Sequence, residues 1–150
     1  MEGPQTALAE LQEIGSKMPN VPMTEYEDAA PEVRAVYDEI LAARGAGQLS
    51  DFWKTLAFHP PTLRRNWENA KEALAPGALD ALTKEMVYIA ASVATNCDFC
   101  TEAHIALARR LGMTDAMFGE LMAVVALANG ANSLVTGYGV VPERRRRPPE

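Results

Sequence analysis

One segment of the chain reads Glu85-Met-Val-Tyr-Ile-Ala-Ala-Ser-Val-Ala-Thr-Asn-Cys97-Asp-Phe-Cys100-Thr-Glu-Ala-His104, and it contains both cysteines and one of the two histidines. Cys97, Cys100 and His104 stand at positions i, i+3 and i+7, which fall on one face of a helix. Asn96 suits an N-cap, and a cap there would place both cysteines in the first turn. Because free N–H groups and the helix dipole favour a thiolate at that place, the pattern predicts reactive sulfur.

Glu85 precedes Cys97 by twelve residues, which is about 18 Å along an unbroken helix and too far for contact. We therefore expect a chain break near Thr95-Asn96, so that a helix over residues 79–94 folds against the cysteine helix. The Glu85 carboxylate would then lie beside His104. Since it stands among the apolar residues Met86, Val87, Ile89 and Ala90, the carboxylate should be partly buried and suited to accept a proton at neutral pH.

The spacing of these four residues, Glu, eleven residues, Cys-x-x-Cys, three residues, His, resembles the alkyl hydroperoxidase D-like family, also called the carboxymuconolactone decarboxylase superfamily. The resemblance extends loosely over most of residues 25–135. It implies an all-α fold, a compact bundle of about six to seven helices that assembles into a helical oligomer. The best-studied peroxidases of the family carry a histidine directly before the second cysteine, where this sequence has Phe99.

The resemblance also implies an activity and a set of catalytic residues. Cys97 and Cys100 would cycle between dithiol and disulfide while reducing hydroperoxides, and Glu85 and His104 would relay the proton. In the family the second cysteine attacks the peroxide, which corresponds to Cys100, with Cys97 as the resolving thiol. The helix-start argument by itself favours Cys97 instead, but a base one turn from Cys100 acts on one particular sulfur, so Cys100 is the predicted nucleophile. The expected partners are a small hydroperoxide, a dithiol or protein reductant and further copies of the chain as a trimer or hexamer; no cofactor is expected.

Composition limits the remaining classes of function. The chain has 150 residues, of which 48% are hydrophobic, and this fits one folded domain. Residues 1–142 contain ten basic and eighteen acidic residues, a net charge of −8, so nucleic-acid binding by the folded part is not expected. No basic start precedes an apolar run, and no apolar stretch approaches the length needed to cross a bilayer, which predicts a cytoplasmic location without membrane contact.

The chain order predicts three regions: a weakly ordered N-terminal segment over residues 1–24, a helical domain over residues 25–141, and a disordered Arg/Pro tail over residues 142–150. Within the domain, a helix should start at Pro31 and end near Gly45, and a second should follow Ser50 or Asp51. Further helices should lie between His59-Pro60 and Pro76, around the central segment, and from Thr114 onward. The last of these is apolar on more than one side, which is typical of a subunit contact or of a central helix.

Two alternatives to a redox pair stay open. Cys97 and Cys100 could be small buried hydrophobic residues without reactivity. They could also join His104 and the distant His59 as a Cys₂His₂ zinc site. In either case the chain would be a non-catalytic helical oligomer or a zinc-stabilised binding module. Four aromatic residues are expected to belong to the core or to a pocket wall rather than to recognise a substrate: Trp53, Trp67, Tyr88 and Phe99.

Overall fold

The computed structural model describes residues 19–45 and 47–142, and this part of the chain is helical without a strand. The helices are α1 (Pro31–Arg44), α2 (Asp51–Leu56), α3 (Pro60–Leu74), α4 (Ala81–Ala94), α5 (Asp98–Arg110) and α6 (Asp115–Gly137). The predicted all-α class and helix number are confirmed. Most of the predicted N-terminal segment, residues 1–18, lies outside the described residues, as do residues 143–150 of the predicted tail.

The helices fall into two compact units, the first ending at Ala73 and the second beginning at Leu74. The assignment of residues 25–141 to a single domain stays a prediction. The site residues that the sequence singles out, Glu85 to His104, all belong to the second unit.

The first unit has a core of aliphatic and aromatic side chains. Pro31 is the first residue of α1, where its fixed φ suits a helix and its missing N–H costs nothing. The side chains of α1 at helical spacing are buried as the sequence predicts: Val33, Val36, Tyr37 and Ile40. Trp53 and Trp67 meet edge to face with ring centroids 5.8 Å apart, so both are core residues, as expected.

The second unit is built from α4, α5 and α6, and α4 packs against both of the others. Asp80 caps α4 by accepting a hydrogen bond from the Thr83 N–H (2.9 Å), and Thr114 caps α6 by accepting from the Met117 N–H (3.1 Å). The buried side chains of its core are Ile89, Ala108 and Met113.

The turn between α4 and α5 is a Schellman motif centred on Asn96. Asn96 has a φ of +55°, its N–H donates to the Val93 carbonyl (3.2 Å), and the Cys97 N–H donates to the Ser92 carbonyl (2.9 Å). The chain therefore breaks at Thr95-Asn96, as predicted. The expectation that Asn96 is the N-cap of the cysteine helix is wrong, because Asn96 closes α4 and Cys97 is the N-cap of α5.

Most residues of helix α6 are exposed. It is long and apolar enough to cross a bilayer by length and composition, so the expectation that no apolar stretch approaches that length is wrong. A core helix of a soluble protein passes the same test, but such a helix is mostly buried, whereas 6% of this apolar window is buried. Residues 130–142 are all exposed, and no charged residue stands between Glu120 and Glu143.

Candidate functional site

The predicted site lies where α4 and α5 pack side by side. Helix α4 contributes Glu85, Tyr88 and Ser92, which are three and seven residues apart and so lie along one side of the helix. Helix α5 contributes Cys100 as its third residue and His104 one turn later. Because the Schellman turn reverses the chain, the start of α5 lies beside the end of α4 and His104 comes back to the level of Glu85.

Glu85 and His104 form a buried pair. The two side chains meet with His104 Nδ1 2.5 Å from Glu85 Oε2, and the residues are 7% and 6% exposed. The helix break thus brings together the carboxylate and the imidazole, as the sequence predicts. When the Nδ1–H of a neutral imidazole donates to a carboxylate, Nε2 is left with its lone pair free to accept a proton. The pair is therefore arranged to act as an oriented base.

Tyr88 stacks on the imidazole of His104. The ring centroids are 3.5 Å apart and the ring planes are inclined by 16°, so one face of the imidazole is covered. Tyr88 is 41% exposed, which makes it a wall of the site rather than a core residue. The sequence places Tyr88 one turn from Glu85 on the same side of α4, and this spacing predicts that it lies near the site. The spacing does not identify His104 as its stacking partner, because His104 lies on α5.

The two cysteines are free thiols and both are half-buried. Burial, together with the hydrogen bond and the charge of Cys97, raises the pKa of the Cys100 thiol to about 11, and burial is the largest of these causes. The expectation that the helix start favours a thiolate is therefore wrong for Cys100. Loss of hydration disfavours the charged sulfur more than the helix dipole favours it, because the dipole effect of one helix end is modest.

Phe99 and His59 are the two remaining residues near the predicted site or its zinc alternative. Phe99 lies in the first turn of α5 and is 48% exposed, so it is a surface residue beside the cysteines. His59 lies in the first unit, where its Nδ1 is 2.7 Å from the Thr62 hydroxyl. Within residues 19–45 and 47–142, no three His, Cys, Asp or Glu side chains are grouped so that they could hold a metal ion.

Ser92 is a buried polar residue that the sequence pattern alone does not single out. It is 5% exposed, and its carbonyl accepts hydrogen bonds from the Cys97 N–H (2.9 Å) and the Thr95 hydroxyl (3.3 Å). Its spacing of seven residues from Glu85 on an apolar helix is the signal that could have found it. The Ser92 carbonyl thus holds the backbone of Cys97, the first residue of the cysteine pair.

Comparison with solved structures gives a close match for this arrangement of helices. The crystal structure of an alkylhydroperoxidase AhpD core from Rhodospirillum rubrum superposes with a TM-score of 0.80 and 39% sequence identity. The match covers 85% of this chain and 96% of that one. At 39% identity over most of both chains, the two proteins are similar in amino-acid sequence as well as in the order and arrangement of their helices.

Sequence comparison agrees. An uncharacterized protein 4 in the cox locus of Paracoccus denitrificans is 39% identical over 57 residues, which are 38% of this chain. The aligned part spans about half (51%) of that relative's length. The model of the carboxymuconolactone decarboxylase family matches residues 60–142, more than half of the chain and all four predicted site residues. With the cysteine pair, the Glu85–His104 contact and the AhpD-like arrangement of helices in agreement, this chain belongs to the carboxymuconolactone decarboxylase family.

Proposed function

We propose that the chain is a thiol-dependent peroxidase and disulfide oxidoreductase that reduces hydroperoxides with Cys97 and Cys100. The observation that carries this proposal is the buried hydrogen bond between Glu85 and His104, with His104 one helical turn after Cys100. A neutral imidazole whose Nδ1–H is bound by a carboxylate is the arrangement that activates a nucleophile in many unrelated hydrolases. The solved relative named as an alkylhydroperoxidase supports the same class of reaction.

The first step requires a base because the Cys100 thiol has a pKa of about 11 and is mostly protonated at neutral pH. His104 Nε2 takes the thiol proton, and the Glu85 carboxylate stabilises the imidazolium that forms. The Cys100 thiolate then attacks the terminal oxygen of the hydroperoxide and the O–O bond breaks. Cys100 becomes a sulfenic acid, and the departing alkoxide takes the proton from His104 and leaves as an alcohol.

The second step uses Cys97. Its thiol attacks the sulfur of the sulfenic acid, a disulfide forms and water leaves. As the N-cap of α5, Cys97 lies three residues before Cys100, and its side chain is close enough to hydrogen-bond with the Cys100 thiol. A dithiol or protein donor then reduces the disulfide by thiol–disulfide exchange, which returns both thiols and completes a two-electron cycle.

A homo-oligomer, a trimer or hexamer in the cytoplasm, is part of the same proposal. From Val124 to the residue that follows its end, α6 exposes a row of apolar side chains that would be unfavourable in water: Val124, Leu127, Leu134, Val135 and Tyr138. A second copy of the chain carries the same apolar surface, so pairing of copies removes both from water. Because the segment has no charged residue, such pairing leaves no buried charge without a partner.

Treatment of the reduced protein with one equivalent of hydroperoxide tests the reaction. Mass spectrometry should find a Cys97–Cys100 disulfide in the wild type and a sulfenic acid on Cys100 in Cys97→Ser. Cys100→Ser should leave Cys97 largely unreactive. Because general-base catalysis contributes about 10²-fold or more, His104→Ala should slow the first oxidation by about that factor, and Glu85→Gln should slow it too, both in folded protein.

Two outcomes would favour the alternative of a non-catalytic or zinc-stabilised oligomer. One is two free thiols in folded protein after peroxide treatment. The other is stoichiometric bound zinc. If Cys100→Ser instead formed a sulfenic acid on Cys97 at an undiminished rate, the two cysteines would have the opposite roles and His104 would not be the base.

A further inference from the structure

The contact between Tyr88 and His104 has an unusual geometry for two neutral rings. Neutral aromatic pairs prefer offset or edge-to-face arrangements with centroids about 4.5–7 Å apart, because two electron-rich faces repel when they are stacked directly. Here the centroids are 3.5 Å apart and the planes are nearly parallel. The arrangement becomes favourable when the imidazole is protonated, since a cation over the face of a tyrosine ring is attracted by the negative centre of that face.

The other groups around His104 are consistent with a role for this stack. Among the described residues, Glu85 faces the ring from α4 and Cys100 precedes it by one turn on α5. The side chains that α6 packs onto the adjoining core carry no charge: Met117, Phe118, Leu121 and Met122. The positive charge that arises on His104 thus has two stabilising partners, the Glu85 carboxylate at its edge and the Tyr88 ring at its face.

We propose that Tyr88 is a positioning residue that stabilises the protonated form of His104 and so promotes proton transfer from Cys100. This inference rests on the proposed function, in which His104 is the base. The stack favours the state after proton transfer over the state before it, and an interaction of that kind accelerates a step. The face of the ring carries the effect, so the tyrosine hydroxyl is not required.

The test measures alkylation of Cys100 by iodoacetamide at neutral pH in the Cys97→Ser protein, which has a single thiol. Tyr88→Leu keeps an apolar side chain of moderate size but has no aromatic face, and it should slow alkylation by about three- to tenfold. Tyr88→Phe keeps the face and should stay within about twofold of the parent. In the His104→Ala background, Tyr88→Leu should have no further effect, because the imidazole on which Tyr88 acts is absent. Circular dichroism melting curves verify folding of each variant.

The outcomes separate this inference from the function on which it rests. If His104→Ala slows alkylation but Tyr88→Leu does not, the role of Tyr88 is overturned and His104 still acts as a base. Equal slowing by Tyr88→Phe and Tyr88→Leu would assign the effect to the hydroxyl and overturn the inference. Slowing by Tyr88→Leu in the His104→Ala background would show a general structural effect and overturn it as well. If His104→Ala alkylates as fast as the parent, the proposed function fails, and the inference fails with it.

Discussion

The backbone N–H of Cys97 donates a hydrogen bond to the carbonyl oxygen of Ser92, with 2.9 Å between nitrogen and oxygen. The residue that carries the first thiol therefore also closes the end of α4 and caps the start of α5. Asn96, between the two helices, holds the left-handed conformation that this turn requires. A change in the backbone conformation of this turn would therefore move the Cys97 sulfur relative to Cys100.

The first prediction concerns this turn. Asn96→Gly should preserve or slightly raise the free energy of unfolding, because glycine adopts a φ of +55° without strain. Asn96→Val should lower it by about 1–2 kcal/mol, because a β-branched side chain clashes with the backbone in that conformation. Chemical denaturation of each variant measures the difference. Asn66→Val, in the ordinary helical backbone of α3, is the control and should cost less; equal losses at the two positions would contradict the prediction.

The second prediction concerns the titration of Cys100. Burial is the largest cause of its raised pKa, and Cys97 supplies the remainder. Cys97→Ala should therefore lower the pKa of Cys100 from about 11 without restoring the ordinary value. The ultraviolet absorbance of the thiolate, followed against pH, measures this change. An unchanged titration in Cys97→Ala would show that the neighbouring thiol has no influence.

The same shift has a consequence for stability. Because the pKa of Cys100 in the folded protein, about 11, is above the ordinary value of 9.0 for a thiol, the neutral thiol stabilises the folded form below pH 9. This contribution should be lost as the pH rises through 9 to 11, since the unfolded chain releases its proton first. The decline in free energy of unfolding over this interval should be smaller in Cys97→Ala than in the wild type.

The third prediction concerns Phe99. A phenyl ring cannot carry a proton, and the best-studied peroxidases that this sequence resembles have histidine at this position. Phe99 is 48% exposed, so its replacement removes little core packing. Phe99→His should raise the rate of peroxide consumption by about tenfold, which is less than the roughly 10²-fold or more that a fully positioned general acid or base contributes. Phe99→Leu changes the ring without adding a proton carrier and should give no gain; a gain in both variants would point to access to the cysteines instead.

The fourth prediction concerns the exposed side of α6. Leu127 and Leu134 are 74% and 57% exposed and lie seven residues apart, on one side of the helix. Glutamate at both positions should dissociate the predicted trimer or hexamer, because the assembly would then bury charges without partners. Light scattering at micromolar concentration measures the mass. Leu111→Glu, at an exposed leucine outside α6, should leave the assembly intact, and a wild-type monomer under these conditions would contradict the proposed assembly.

Much of the helical architecture could be predicted from local sequence. Pro31 begins α1, Gly45 follows its last residue and Thr114 caps α6, and each acts through its own backbone or through groups within one turn. The break at Thr95-Asn96 was predictable for a different reason: Glu85 and His104 could not meet along one straight helix. Spacing alone could not assign the role of Asn96, because asparagine is suited both to beginning a helix and to ending one.

The sequence by itself determined the helical periods, the places where the helices end and the spacing that puts a carboxylate, two thiols and an imidazole within reach. These follow from φ/ψ preferences and from the 3.6-residue repeat, which act over a few residues. Only the tertiary structure decided that Cys100 is buried enough to raise its pKa, that Tyr88 lies on the face of His104 and that most residues of α6 are exposed. Burial and ring contacts depend on which side chains a neighbouring helix brings to the same place, and that is set by packing between helices rather than by the local sequence.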